Sequence, residues 1–119
     1  MEPAIKIRSI LIPVDDLDDA LTWMTSELGC VIRFRDGDRY VELDASGQSL
    51  ALVAQNERLV DRPALSVRTE DLDGAIDALR RRGSEVVQAP VRGPHETRAV
   101  LKAPGDVLLV LSSKNAQQI

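Results

Sequence analysis

The chain has 119 residues, which predicts one domain over residues 1–119 with a core large enough to fold without a disulfide or metal. Its formal net charge of -4 argues against nucleic acid as the main partner, because phosphate binding needs a basic surface. A single cysteine, Cys30, excludes an internal disulfide and fits a cytoplasmic setting, and no apolar run approaches the roughly 20 residues that a membrane-spanning helix needs.

The first predicted unit, about residues 6–54, contains one helix among β-rich segments. Its helix is indicated by an apolar stripe at helical spacing, formed by Leu17, Ala20, Leu21, Met24 and Leu28. Asp15 or Asp16 is expected to cap this helix, and Gly29 is expected to end it. The predicted strands of the unit are residues 6–14, 30–35, 39–44 and 48–54.

A mostly polar segment, residues 55–63, is the predicted linker to a second unit at about residues 64–112. The second helix is indicated by the stripe Leu72, Ala75, Ile76 and Leu79, and Gly83 is expected to end it. The predicted strands are residues 64–69, 84–88, 96–103 and 106–112. Residues 89–95 hold two prolines and a glycine and are predicted to be a loop, and the polar residues 113–119 are expected to fray.

The two units repeat one motif. Residues 16–18 (Asp-Leu-Asp) reappear as residues 71–73, an offset of 55, and Gly29 has a counterpart in Gly83. A repeat of this length indicates one supersecondary unit used twice. The predicted fold class is therefore α+β, with two βαβββ units forming a curled mixed sheet, one helix per unit on the outer face and a cup on the other face.

Alternation along the strands predicts which side chains line the cup. The predicted ligand-binding residues are Ser9, Leu11, Tyr40, Glu42, Ala51, Ser66, Arg68, His95, Arg98 and Leu109. Val107 and Leu111 are expected beside Leu109, so the cavity is mostly apolar with a few polar groups. Such a lining is typical of a small-molecule site.

The polar candidates each have two interpretations. Tyr40 would stack on a planar ligand or donate its hydroxyl, or else it covers apolar surface at the rim. Glu42 would act as a general base if burial raises its pKa, or it pairs with Arg68 or Arg98 in a structural ion pair. The two arginines would grip a carboxylate or phosphate, or they lie in solvent at strand ends. His95 would contact a ligand at the cup mouth, or it is a solvated loop residue.

The paired βαβββ plan resembles the vicinal oxygen chelate superfamily, which includes glyoxalase I, bleomycin resistance proteins, fosfomycin resistance enzymes and extradiol dioxygenases. The segments that carry the resemblance are residues 12–17 (IPVDDL), 27–29 (ELG), 70–72 (EDL) and 103–106 (APGD). Their order, spacing and duplication extend it over residues 6–112. The resemblance implies a homodimer with a small organic molecule as ligand.

The resemblance also implies where a divalent metal would be held, by His or Gln on the first strand and Glu on the last strand of each unit. Those positions fall here on Ser9, Ala51, Ala64 and Leu109, or Val110 if the last strand slips by one residue. None of these side chains is an imidazole or a carboxylate, which such ions prefer. We therefore expect no metal, no other cofactor and no catalytic residue of the usual kind.

Three functions follow from these observations. The first is a metal-free binding protein resembling bleomycin resistance proteins, which sequesters a drug or metabolite in the apolar cup. The alternative is a lyase, isomerase or dioxygenase of the glyoxalase-like superfamily. The third is a structural or regulatory module whose cup is filled by its own side chains.

Overall fold

The computed structural model of the protein describes residues 4–115, which contain two α-helices and eight β-strands. The helices are α1 (Leu17–Leu28) and α2 (Leu72–Arg81). The strands are β1 (Lys6–Pro13), β2 (Val31–Asp36), β3 (Tyr40–Ala45), β4 (Gln48–Val53), β5 (Ala64–Arg68), β6 (Glu85–Arg92), β7 (Glu96–Ala103) and β8 (Val107–Lys114). Neither helix of residues 4–115 is long and apolar enough to cross a membrane.

The described residues divide into two compact units, residues 9–64 and residues 65–115 with residues 4–8. In the first unit the strand order is β2-β3-β4-β1, with β1 and β4 parallel and the other pairs antiparallel. In the second unit the order is β5-β8-β7-β6, and here β5 and β8 are the parallel pair. Each helix packs on a mixed sheet, which confirms the predicted α+β class built from repeated βαβββ units.

Local sequence explains where α1 begins and ends. The side chain of Asp16 accepts a hydrogen bond from the Asp19 amide at 3.0 Å, so Asp16 is the N-cap. Gly29 ends the helix at a φ of 68°, a left-handed conformation that glycine adopts without strain. The predicted apolar stripe includes one residue that is not buried, since Leu28 is 57% exposed.

Beside α1, the Asp18 carboxylate accepts a 2.7 Å hydrogen bond from Arg35. This hydrogen bond raises the pKa of the Arg35 guanidinium.

Each helix covers its own aliphatic core. In the first unit the buried core residues are Leu17, Leu21, Cys30, Val41, Leu43, Leu52 and Ala54. In the second unit they are Val67, Leu72, Ala75, Ile76, Ala99, Leu101 and Leu111. Cys30 is thus a buried structural thiol, as its apolar surroundings predict. The strand positions that alternate with these core residues define the opposite face of each sheet, called here the open face.

The prediction of a loop at residues 89–95 is wrong for most of that segment. Strand β6 continues to Arg92, and its pairing with β7 shifts register on both sides of Gln88. Pro90 is tolerated there because β6 is the last strand in the order of its unit, where a missing N–H disrupts no central ladder. Strand β8 likewise continues to Lys114 rather than fraying from residue 113, and residues 116–119 lie outside the described residues.

Candidate functional site

The open face of the first unit brings together five of the predicted site residues. Leu11 on β1 lies beside Ala51 on β4, and Ala51 lies beside Glu42 on β3. Ser9 and Tyr40 share this face because they lie two residues from Leu11 and Glu42 along the same strands. Ser9 and Ala51 are buried, whereas Leu11, Tyr40 and Glu42 are partly exposed. The predicted residues of this unit therefore share one face of the sheet, on which Ser9 and Ala51 are covered.

The open face of the first unit carries an aromatic pair and a hydrogen-bonded carboxylate. The Tyr40 and Phe34 rings are 6.2 Å apart at an angle of 55°. Ser49 donates a 3.1 Å hydrogen bond to Glu42 Oε1, so Glu42 has a partner within its own sheet. Aromatic faces contact planar or apolar ligands, and a carboxylate accepts hydrogen bonds from them.

Phe34 is a site candidate that the sequence analysis missed. Strict alternation from Cys30 and Ile32 would place Phe34 on the helix side of the sheet. The β2–β3 register shifts between Ile32 and Phe34, and the shift sets Phe34 directly beside Glu42 on the open face. Phe34 is 56% exposed there. Its aromatic side chain, one of only three in the chain, was the signal available in the sequence.

In the second unit, the open face carries three of the predicted residues: Ser66, Arg68 and Arg98. Arg68 on β5 and Arg98 on β7 both lie beside Ser112 on the intervening strand β8. Arg68 Nη2 donates to Glu96 Oε2 at 3.0 Å, so Arg68 forms an ion pair within its own unit. The arginines therefore do not simply extend into solvent at strand ends, since both are partly buried on a sheet face.

The prediction that Leu109 lines the cup is wrong. Leu109 packs against the α2 core together with Leu65, its register neighbour on β5. Val107 and Leu111 share the helix side with it, so the β8 residues on the open face are Leu108, Val110 and Ser112. A one-residue error in the frame of a strand moves every side chain to the other face.

His95 is exposed in the short loop between β6 and β7. Its backbone carbonyl accepts a 3.0 Å hydrogen bond from the Asn115 amide. The Asn115 side chain donates to Gly93 O at 2.8 Å and accepts from Thr97 at 2.8 Å. The loop backbone is therefore anchored by hydrogen bonds at both of its ends.

The residues at the implied metal positions do not fit a divalent ion. Ser9, Ala51 and Ala64 are buried, and Val110 replaces Leu109 as the fourth position because it is the one that lies on the open face. Their side chains offer one hydroxyl and otherwise only hydrocarbon. Within residues 4–115, no group of three or more His, Cys, Asp or Glu side chains is placed to hold a metal ion.

A separate groove of about 780 Å³ lies on the helix side of the second unit. It runs between α2 and β6 and is lined by Asp73, Ile76, Asp77, Arg80, Ser84, Glu85, Val86, Ala89 and Pro90. Three of these residues are carboxylates, so the groove is more acidic than the open face of the same unit. None of the predicted ligand-binding residues lines it.

Comparison with known proteins gives consistent matches over nearly the whole chain. A family model for the Glyoxalase/Bleomycin resistance protein/Dioxygenase superfamily matches residues 6–111. An uncharacterized protein from Mycolicibacterium smegmatis is 27% identical over 101 residues, which cover 81% of this chain and 83% of that protein.

Two solved structures are similar in fold. A glyoxalase/bleomycin resistance protein/dioxygenase superfamily member from Vibrio splendidus 12B01 has a TM-score of 0.66 at 11% identity, covering 93% of this chain and 98% of its own. A methylmalonyl-CoA epimerase from Mycobacterium tuberculosis has a TM-score of 0.61 at 23% identity, covering 92% and 88%. At these identities the likeness concerns the fold alone.

Proposed function

The chain belongs to the Glyoxalase/Bleomycin resistance protein/Dioxygenase superfamily, and from that premise we propose that it binds a small organic molecule without a metal. The proposal resembles the role of bleomycin resistance proteins, which sequester a drug or metabolite. One observation carries it: the open faces keep apolar, aromatic and hydrogen-bonding side chains, while the implied metal positions hold Ser9, Ala51, Ala64 and Val110.

The composition of the open faces supports a ligand that is largely apolar. In the first unit, Leu11 lies beside Ala51 and Ala51 beside Glu42, which adds one hydrogen-bonding group next to Phe34 of the Tyr40–Phe34 ring pair. A site of this kind gains affinity from buried apolar area and takes its specificity from a few polar contacts. We therefore propose aromatic or amphiphilic compounds as the ligand class.

Calorimetric titration tests the binding proposal. Candidate aromatic and amphiphilic compounds are titrated into the wild type, Tyr40→Ala and Tyr40→Phe. We expect sub-millimolar binding to the wild type, and a loss of about three- to tenfold in Tyr40→Ala, because a ring contact contributes about 0.5–1.5 kcal/mol. Retention of affinity in Tyr40→Phe would assign the effect to the ring rather than the hydroxyl.

A matched control separates the open face from the groove on the helix side of the second unit. Ala89 is exposed and lines that groove, so Ala89→Arg places a large side chain in the groove without changing either open face. The variant is expected to bind as the wild type does. The binding proposal fails if no compound in a broad library binds better than millimolar, which would favour a module whose cup is filled by its own side chains.

The enzymatic alternative makes a different prediction. A lyase, isomerase or dioxygenase of this superfamily would carry a stoichiometric divalent metal in the purified protein. Elemental analysis distinguishes the two, and the donor set at the implied metal positions favours the metal-free interpretation.

We propose that the protein is a homodimer in the cytoplasm. A mass of twice that of the chain in light scattering would support the dimer.

A further inference from the structure

A polar row crosses three strands on the open face of the second unit. Ser112 on β8 lies between Arg98 on β7 and Arg68 on β5, with all three side chains on one face. Register neighbours in a sheet are about 5 Å apart, so both arginine side chains start from positions beside Ser112. Ser112 is 3% exposed and the Arg68 side chain 24%. The row therefore concentrates hydrogen-bond donors where little water competes with a ligand.

Two atoms of this row lack a hydrogen-bond partner. Within residues 4–115, they are Arg68 Nη1 and Ser112 Oγ, and both are fully covered. A buried polar group without a partner destabilises the fold, and native proteins satisfy almost all such groups. A guanidinium nitrogen only donates, and a hydroxyl also has a proton to donate. Both atoms are therefore suited to an acceptor that carries negative charge.

The neighbouring Glu96 carboxylate indicates which kind of anionic group this row would bind. Its carboxylate already accepts a 3.0 Å hydrogen bond from Arg68 Nη2, so a carboxylate suits the geometry of this guanidinium. The Glu96 charge also offsets part of the positive charge of the row, which disfavours a dianionic phosphate relative to a monoanionic carboxylate. The next row of the same face, Ser66, Val110 and Val100, is buried and mostly apolar.

We propose that Arg68 and Ser112 bind the carboxylate of a short aliphatic or aromatic acid. The site rests on the proposed function, since it anchors the small molecule that the open face takes up. In this site the carboxylate takes the place of the partly exposed Glu96 side chain, which accepts a hydrogen bond from Arg68 Nη2. Glu96 thus competes with the ligand for Arg68.

Matched acid and amide probes test the site. Hexanoate and hexanamide are titrated in a buffer without carboxylate or phosphate, and binding is followed by calorimetry and by the NMR signals of Arg68 and Ser112. We expect hexanoate to bind about tenfold or more tightly than hexanamide, since hydrogen bonds to a charged group are the stronger ones. The same preference is expected for benzoate over benzamide.

Variants of the two binding residues locate the anion. Ser112→Ala and Arg68→Gln are each expected to weaken hexanoate binding about tenfold and to weaken hexanamide binding by less, since the amide carries no charge. Arg92→Gln is the control, because it removes one exposed positive charge from β6 in the same unit. Glu96→Gln is expected to tighten hexanoate binding several-fold, since a neutral amide competes less for Arg68.

The outcomes separate this site from the proposed function. Equal affinity for acid and amide, or full hexanoate affinity in both binding-site variants, overturns the carboxylate site while other small molecules still bind elsewhere. Tighter binding of inorganic phosphate than of hexanoate overturns the assignment to carboxylates. If no organic compound of any kind binds, the carboxylate site and the proposed function both fail.

Discussion

Two serines on the open faces differ in their hydrogen bonding. Ser49 Oγ donates to Glu42 at 3.1 Å, whereas Ser112 Oγ is buried without a partner among residues 4–115. Their identity in the sequence gives no sign of this difference, because it depends on which side chains the sheet register places beside them. At this scale the sequence predicted the polar candidates Arg68 and Arg98 but missed Ser112, which directly follows the apolar run of residues 107–111.

Because only Ser49 has a hydrogen-bond partner among the described residues, substitution by alanine is expected to affect stability differently at Ser49 and at Ser112. Ser49→Ala is expected to lower the free energy of unfolding by about 1 kcal/mol, since it removes a formed hydrogen bond. Ser112→Ala is expected to leave that free energy unchanged or to raise it, because the hydroxyl that it removes is unsatisfied. Urea denaturation of the ligand-free protein measures both. A loss of more than 1 kcal/mol in Ser112→Ala would mean that its hydroxyl has a partner.

At the scale of elements, the sequence predicted the helices well, but it predicted less well which face of the sheet each strand residue occupies. Helix caps and stripes are local features, so Asp16, Gly29 and the apolar spacing were enough to define α1. Residues 107–111 (VLLVL) are apolar at every position, so alternation could not decide which face Leu109 occupies. Proline in β6 and the register shift in β2 depend on tertiary pairing, which a local pattern does not contain.

The assignment of Asp16 as the N-cap of α1 can be tested by comparing it with the neighbouring Asp15. Asp16→Ala is expected to lower the free energy of unfolding by about 1 kcal/mol, because it removes the acceptor of the Asp19 amide. Asp15→Ala should change it by less than about 0.5 kcal/mol, since Asp15 forms only an exposed ion pair with Arg58. Thermal and urea denaturation compare the two. Equal losses would contradict the assignment of Asp16 as the cap.

Over the whole molecule, aliphatic packing determines stability, because the chain has only three aromatic residues. Each unit has its own core beneath its own helix, and Leu52 and Leu101 are fully buried in one core each. The native states of domains this size are stabilised by only about 5–15 kcal/mol. Loss of one large core side chain is therefore a sizeable fraction of the total.

Leu52→Ala and Leu101→Ala are each expected to lower the free energy of unfolding by about 2–5 kcal/mol, through lost burial and the cavity that remains. Leu28→Ala is the control in which a mostly exposed leucine is shortened, and we expect a change within about 0.5 kcal/mol. Urea denaturation midpoints provide the comparison. A small effect at either buried position would show that its core is less tightly packed than the structure indicates.

We propose that this family member binds an organic molecule and not a catalytic metal. Native mass spectrometry of the protein as purified, without chelators, tests it most directly because it weighs whatever remains bound. We predict a species heavier than the chain by the mass of an organic compound, with no stoichiometric divalent ion. A uniform mass increase matching one divalent metal ion per chain would rule out metal-free binding.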